Sequence, residues 1–119
     1  MKVVGQGLPR VEVFEKVTGQ SVFGADVRLG TPFLFGKLLR SAHAHARIKK
    51  IDTKKAERLK GVKAIVTAQD LPKVCYGRFV KDEEYFCTDK VRTFGDKIAA
   101  VAAVDEETAE EALELIKVD

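Results

Sequence analysis

The chain has 119 residues and a mass of 13.2 kDa, with 45% hydrophobic and 33% charged residues. That is one domain's worth of an ordinary globular mixture, which excludes a disordered chain, a collagen-like chain and a self-contained enzyme built round a large enclosed cofactor. Lys plus Arg number 21 against 18 Asp plus Glu, a net charge of +3, so nothing in the overall balance demands a nucleic-acid partner.

The first thirty residues carry Gly5, Gly7, Gly19, Gly24 and Gly30 and little regular periodicity. Lys16-Val17-Thr18-Gly19 reads as a turn entering a short extended piece, Ser21 to Val27. An extended arm over residues 1–30 is expected, packing on something else. Phe33 to Ser41 reads as a strand. Phe33, Phe35 and Leu39 point one way and Leu34 and Leu38 the other, which predicts an interior strand covered on both faces. Ala46 to Ile51 alternates and is predicted as a strand with one wet face, or an edge strand protected by its lysines.

Asp52 and Thr53 can cap a short helix running to about Leu59, with Gly61 as its C-terminal glycine. Val62 to Thr67 follows as a strand. Thr67 and Asp70 have capping-box spacing, and Pro72 limits that helical turn to a few residues. Residues 73–89 mix Gly77, charges and four aromatics and read as a long loop. Val91 to Phe94 is short and extended, and Gly95-Asp96 is a turn. Ile98 to Val104 is an apolar run whose shortness favours a buried strand. Asp105 caps the last helix, with Glu106 and Glu107 at the positive end of its dipole. Its stripe is Ala109, Ala112, Leu113 and Ile116. Lys117 to Asp119 begins another strand. A strand–helix–strand unit thus occurs twice, around 46–67 and around 98–119, and the later copy reads as truncated.

Charge is unevenly spread. Lys37 to Lys63 holds ten bases and two acids, a local +8, and Asp105 to Asp119 holds seven acids and one base, a local −6. The bases are spread over strand and helix patterns, which favours two solvated faces over a nucleic-acid surface. No secretory signal follows Met1-Lys2, and no window approaches the length of a membrane span. The expected compartment is the cytoplasm, where Cys75 and Cys87 are not expected to pair.

Reactive constellations are sparse. His43 and His45 form a His-X-His pair that could face one metal on a strand, but further ligands with paired spacing are missing. Cys75 and Cys87 form no Cys-X-X-Cys motif. Gly5-Gln6-Gly7 lacks the strand and third glycine of a phosphate cradle. Asp82, Glu83 and Glu84 are adjacent loop acids, which read as a solvated charge run rather than a carboxylate dyad. The residues alone therefore describe an α/β domain with no catalytic, cofactor-binding or metal-binding residue to assign.

Several strings, in order, resemble the start of the large subunit of the xanthine dehydrogenase/aldehyde oxidase family. They are Lys16-Val17-Thr18-Gly19 with Ala25-Asp26, Leu39-Arg40-Ser41-Ala42-His43-Ala44-His45-Ala46-Arg47-Ile48, and Gly61 to Pro72. Lys90 to Val101 and Thr108 to Val118 continue the likeness, which covers nearly the whole chain. The resemblance implies an α/β hammerhead domain: α/β (α+β), with a mixed sheet, two strand–helix–strand units and the N-terminal arm. The domain would occupy residues 31–119. The loop Tyr76 to Glu84 is most similar to members related to 4-hydroxybenzoyl-CoA reductase.

The family resemblance also implies a role. The whole enzyme would hydroxylate an aldehyde or N-heterocycle, or reduce a hydroxybenzoyl-CoA. It would use a molybdenum–pterin cofactor, 2Fe-2S clusters and FAD, none of them held in this fragment. The partners implied are the remaining molybdenum-binding domains of the same subunit and iron–sulfur and flavin subunits or domains, with neither nucleic acid nor membrane. His43 and His45 become structural signature residues. No catalytic residue carries over, because no position here matches one, and the isolated chain is expected to be inactive. The reading from another class is a free-standing nucleic-acid or acidic-partner module using residues 37–63.

Overall fold

The computed structural model describes residues 4–27, 30 and 32–119. They divide into two compact units, Met1–Pro32 and Phe33–Asp119. In the first, the chain is not extended throughout. Val13–Val17 forms a one-turn helix, α1, closed by the Thr18 hydroxyl donating to the Phe14 carbonyl at 2.7 Å. Gly24–Asp26 is a 3-10 turn in which the Asp26 carboxylate accepts the Phe23 N–H at 2.9 Å. These side-chain caps act over three or four residues, too short a span for a hydrophobic period to reveal.

The second unit is built on a three-stranded sheet. Its strands are β1 (Phe35–Arg40), β4 (Val62–Thr67) and β6 (Lys97–Ala103), in the order β1-β6-β4. Two-residue strands form the smaller ladders. β2 (Ala46–Arg47) pairs with β5 (Lys90–Val91), and β3 (Ile51–Asp52) pairs with β7 (Lys117–Val118). Every ladder among the described residues is antiparallel, so the expected mixed sheet is corrected to antiparallel. Each flanking strand of the main sheet runs against the central β6, and the two flanking strands never pair with each other.

Ala46 to Ile51 is also not one strand. The chain leaves β5 through Ile48 N–H donating to the Asp89 carbonyl at 2.8 Å, and Lys49 N–H then donates to the Asp119 carbonyl at 2.6 Å. It changes partner in mid-run, and the alternation splits between two ladders.

The apolar run that could be helix or strand is the central strand β6. Ala99, Val101 and Ala103 are buried on one face. Over them lie α2 (Lys54–Glu57) and α3 (Glu106–Leu115), through Ala56, Ala109 and Ala112, each 0% exposed. Alanines at these positions let the helix axis come close to the sheet. Val101 and Ile116 supply most of the larger buried side chains of this core, each contributing about 2 kcal/mol by leaving water. The Asp105 carboxylate caps α3 by accepting the Thr108 N–H at 2.7 Å. Gly61, at φ +104°, turns the chain from α2 into β4. A Cβ there would stand 3.0 Å from Val104 and 3.1 Å from Thr108.

β1 differs from expectation. It is an edge strand, not an interior one. Phe35, Lys37 and Leu39 face the helices, while Gly36, Leu38 and Arg40 are exposed. Lys37 reaches α3, with its ammonium donating to Glu106 at 2.5 Å and to Glu110 at 2.8 Å. The helices form one layer on one side of the sheet, which leaves the second apolar face of β1 without a cover in this unit.

Candidate docking groove

Two strings that lie far apart in sequence meet at the end of β1. Ser41 N–H donates to the Asp96 carbonyl at 2.8 Å, and Gly95 N–H donates back to the Ser41 carbonyl at 3.0 Å. The Arg40 guanidinium donates to the Gly95 carbonyl at 2.9 Å. Ser41 is buried. Its hydroxyl donates to the His43 carbonyl at 2.9 Å and accepts the His43 N–H at 3.0 Å. The backbone of His43 thus closes the turn, and its ring is free of that duty. His43 and His45 are both exposed.

Asp96 organises the opposing turn. Its carboxylate accepts the Thr93 hydroxyl at 2.7 Å, the Arg92 N–H at 2.7 Å and the Thr93 N–H at 3.0 Å. These donors, the Thr93 hydroxyl first, hold its carboxyl at about 2, well below the ordinary 3.8. Beside it, burial and then the negative charge of Asp96 push the Cys87 thiol up to about 11. A thiol so placed is a packing group rather than a nucleophile.

The Ser41–His43 turn borders a groove of about 330 Å³. Its floor is apolar, formed by Leu39, Ala46, Ile48, Val91, Ile98 and Ile116, and Arg40, His43, Arg47 and Asp119 stand at its rim. The polar groups at the mouth are partly committed already: Ser41 to His43, Arg40 to Gly95, and the Asp119 carbonyl to Lys49. Such a groove suits an apolar side chain or two from a neighbouring segment. It offers no nucleophile–base pair.

The other sequence candidates do not converge. Among the described residues, no group of three or more His, Cys, Asp and Glu side chains could hold a metal ion. Both thiols are free, Cys75 exposed and Cys87 buried. Cys75 lines a separate cavity of about 190 Å³ with Pro72, Tyr85 and Phe86. Glu84 accepts the Thr88 N–H at 2.8 Å and so braces its own loop, while Asp82 and Glu83 are exposed. In that loop Tyr76 and Glu83 form an isolated bridge, and Tyr76 stacks on Tyr85 at 4.8 Å between ring centroids. Lys54, Lys55, Arg58, Lys60 and Lys63 are exposed, and no ion pair among the described residues engages them. No helix of the described residues is long and apolar enough to cross a membrane. Sequence reasoning misses Asp96 as an organising residue. Its separation by three residues from Thr93 is the one local signal available.

An antiparallel sheet layered on one side by helices, with an apolar groove at the end of its edge strand, defines a small α/β domain. Residues 18–119 match the family model described as aldehyde oxidase and xanthine dehydrogenase, a/b hammerhead domain. The chain belongs to that family. It is 48% identical over 105 residues to a probable xanthine dehydrogenase subunit of Bacillus subtilis (strain 168), covering 87% of this chain and 14% of that one. It is 37% identical over 119 residues to the nicotinate dehydrogenase large molybdopterin subunit of Eubacterium barkeri, covering 99% of this chain and 28% of that one.

Among solved structures, the reconstituted CO dehydrogenase from Oligotropha carboxidovorans superposes with a TM-score of 0.87 at 39% identity, over 97% of this chain and 15% of that one. The aldehyde oxidoreductase from Desulfovibrio desulfuricans ATCC 27774 does so with a TM-score of 0.83 at 32% identity, over 98% of this chain and 14% of that one. The chain therefore spans a small part of the length of the relatives it matches. A molybdopterin group, as named for the Eubacterium barkeri relative, does not fit the residues here. The groove's floor is apolar, whereas a pterin ring is edged with hydrogen-bonding groups.

Proposed function

We propose that this chain serves as a structural domain of a molybdenum oxidoreductase large subunit. It has no catalytic group of its own, and its neighbours are the molybdenum-binding domains of the same subunit. The observation that carries this reading is where the family's recognition strings go. Arg40 to Ile48 lines an apolar groove, its first turn is interlocked with the turn Thr93 to Asp96, and the two strings do not converge on a reacting atom. The arm of residues 1–30 and the domain of residues 31–119 would act as separate packing elements.

The whole enzyme, on this reading, oxidises an aldehyde or N-heterocycle or reduces a hydroxybenzoyl-CoA. Its molybdenum–pterin lies in other domains, and 2Fe-2S clusters and FAD pass electrons in partner domains or subunits. The cytoplasm is the compartment that suits its two free thiols. The test is direct. The purified chain is expected to fold, to carry no stoichiometric molybdenum and to oxidise no aldehyde with a dye acceptor. A folded preparation that holds molybdenum and turns over an aldehyde would overturn the proposal.

A further inference from the structure

The face of the main sheet opposite α2 and α3 has an unusual composition. Cross-strand register places Gly36, Ala102 and Ala64 in one row, and Leu38, Ala100 and Val66 in the next. None of the six is polar. The solvent face of an antiparallel sheet ordinarily alternates to polar residues. Here Leu38 is 40% exposed, Gly36 and Ala64 are exposed, and Val66, Ala100 and Ala102 are half-buried.

Gly36 makes the point sharper. Glycine weakens a strand, and it is tolerated where the backbone needs a positive φ or where a neighbour comes too close for a side chain. Gly36 has no positive φ. A Cβ built on it meets nothing within 4 Å. Nothing among the described residues requires a glycine there. A row of Gly and Ala without side-chain bulk suits a backbone or helix laid closely against the sheet from outside.

We propose that this bare face is an interface, and that its occupant is another segment of the same polypeptide, from outside these 119 residues. This rests on the reading of the chain as one domain of a large subunit. Three observations choose the occupant. The matched relatives are far longer, this chain covering 14% of the Bacillus subtilis relative and 15% of the CO dehydrogenase chain. A tethered segment meets the face at high effective concentration, so a modest apolar area suffices. The two rows themselves carry no charge, the Arg40 guanidinium at the end of the same face being bonded to the Gly95 carbonyl, so the rows offer nothing to pair with nucleic acid or an acidic protein, whereas the exposed cations of α2 lie on the helix layer.

The experiment replaces the matching 105 residues of the Bacillus subtilis relative with this chain. Gly36→Val and, separately, Leu38→Lys are then made both in that chimaera and in the free 119-residue chain. In the free chain both variants are expected to keep the wild-type circular dichroism, and Gly36→Val to melt at or above the wild-type temperature. In the chimaera, both are expected to lower the yield of soluble, protease-resistant subunit roughly tenfold, the equilibrium effect of overpacking one close contact.

Chimaera variants that match the wild-type chimaera would overturn the face proposal and leave the domain reading standing. A wild-type chimaera that fails where the unaltered relative folds would overturn the domain reading itself. A free chain that is dimeric, and made monomeric by Leu38→Lys, would overturn the choice of occupant in favour of a second copy. Variants that unfold the free chain would show that the face is internally packed, which also overturns the proposal.

Discussion

Replacing Asp96 with Asn tests how the two turns are held together. The substitution keeps the size of the side chain and removes its charge. In the wild type, three donors hold the carboxyl at about 2 against an ordinary 3.8, which corresponds to at most about 2 kcal/mol of stability at neutral pH. The side chain is only partly buried, so solvent screening leaves an expected charge-dependent share of about 1 kcal/mol. The carboxyl is lowered on folding. Its contribution is therefore complete above the ordinary carboxylate range and disappears as the pH falls from about 3.8 towards about 2.

Urea unfolding, which adds no salt, is followed at pH 7 and at steps down to pH 2 for both proteins. At pH 7 Asp96→Asn is expected to be less stable by about 1–2 kcal/mol, a sum that includes one poorer hydrogen bond. Between pH 7 and pH 2 the gap is expected to narrow by about 1 kcal/mol, because only the wild type loses a charge at this position. A gap that stays constant over that range would refute the argument, since the three donors would then be serving shape and not charge.

Other outcomes are expected with equal definiteness. Ser41→Ala removes the hydroxyl that makes both hydrogen bonds of the His43 turn and should cost about 1–2 kcal/mol by urea midpoint, whereas His43→Ala should stay within about 0.5 kcal/mol, because only its backbone is engaged. Gly61→Ala, forced into the left-handed region against Val104 and Thr108, should lose about 1–3 kcal/mol in the same assay. Ala112→Leu should lose about 1–3 kcal/mol by driving α3 off the sheet. With a thiol reagent at pH 8, one equivalent should react in the native chain and a second only after unfolding. Cys87, pushed up to about 11, is then ionised in only about one molecule in a thousand.

Much of the fold is readable from residues one turn apart. Asp105, the two glutamates after it and the stripe Ala109, Ala112, Leu113 and Ile116 mark α3 from either direction. Thr67 and Asp70 mark the 3-10 turn Ala68–Asp70, where Asp70 accepts the Thr67 N–H at 2.8 Å. The family strings, being long and ordered, carry the hammerhead assignment. What the residues do not reveal is which apolar face has a cover. Leu38 and Leu39 are chemically identical in β1, and alternation cannot separate a face already buried from one that awaits a neighbour.

The docking groove is hidden for a different reason. Its wall depends on Arg40 and Ser41 bonding to Gly95 and Asp96 across more than fifty positions, and no local period encodes a pairing of that span. Ala46 to Ile51 shows the converse limit, because one unbroken alternation serves two partners.

The stacked pair Tyr76 and Tyr85 has an optical consequence. The chain has no Trp and two Tyr, and both sit in the long loop, 4.8 Å apart, with the Lys97 ammonium 3.1 Å from the Tyr76 hydroxyl. Tyrosine emission and the tyrosine bands of the near-ultraviolet dichroism therefore watch the loop, while the alanine-lined core between sheet and helices holds no tyrosine. Far-ultraviolet dichroism follows the core. Recorded together during one melt, the two bands separate release of the loop from collapse of the sheet, with no label introduced anywhere in the protein.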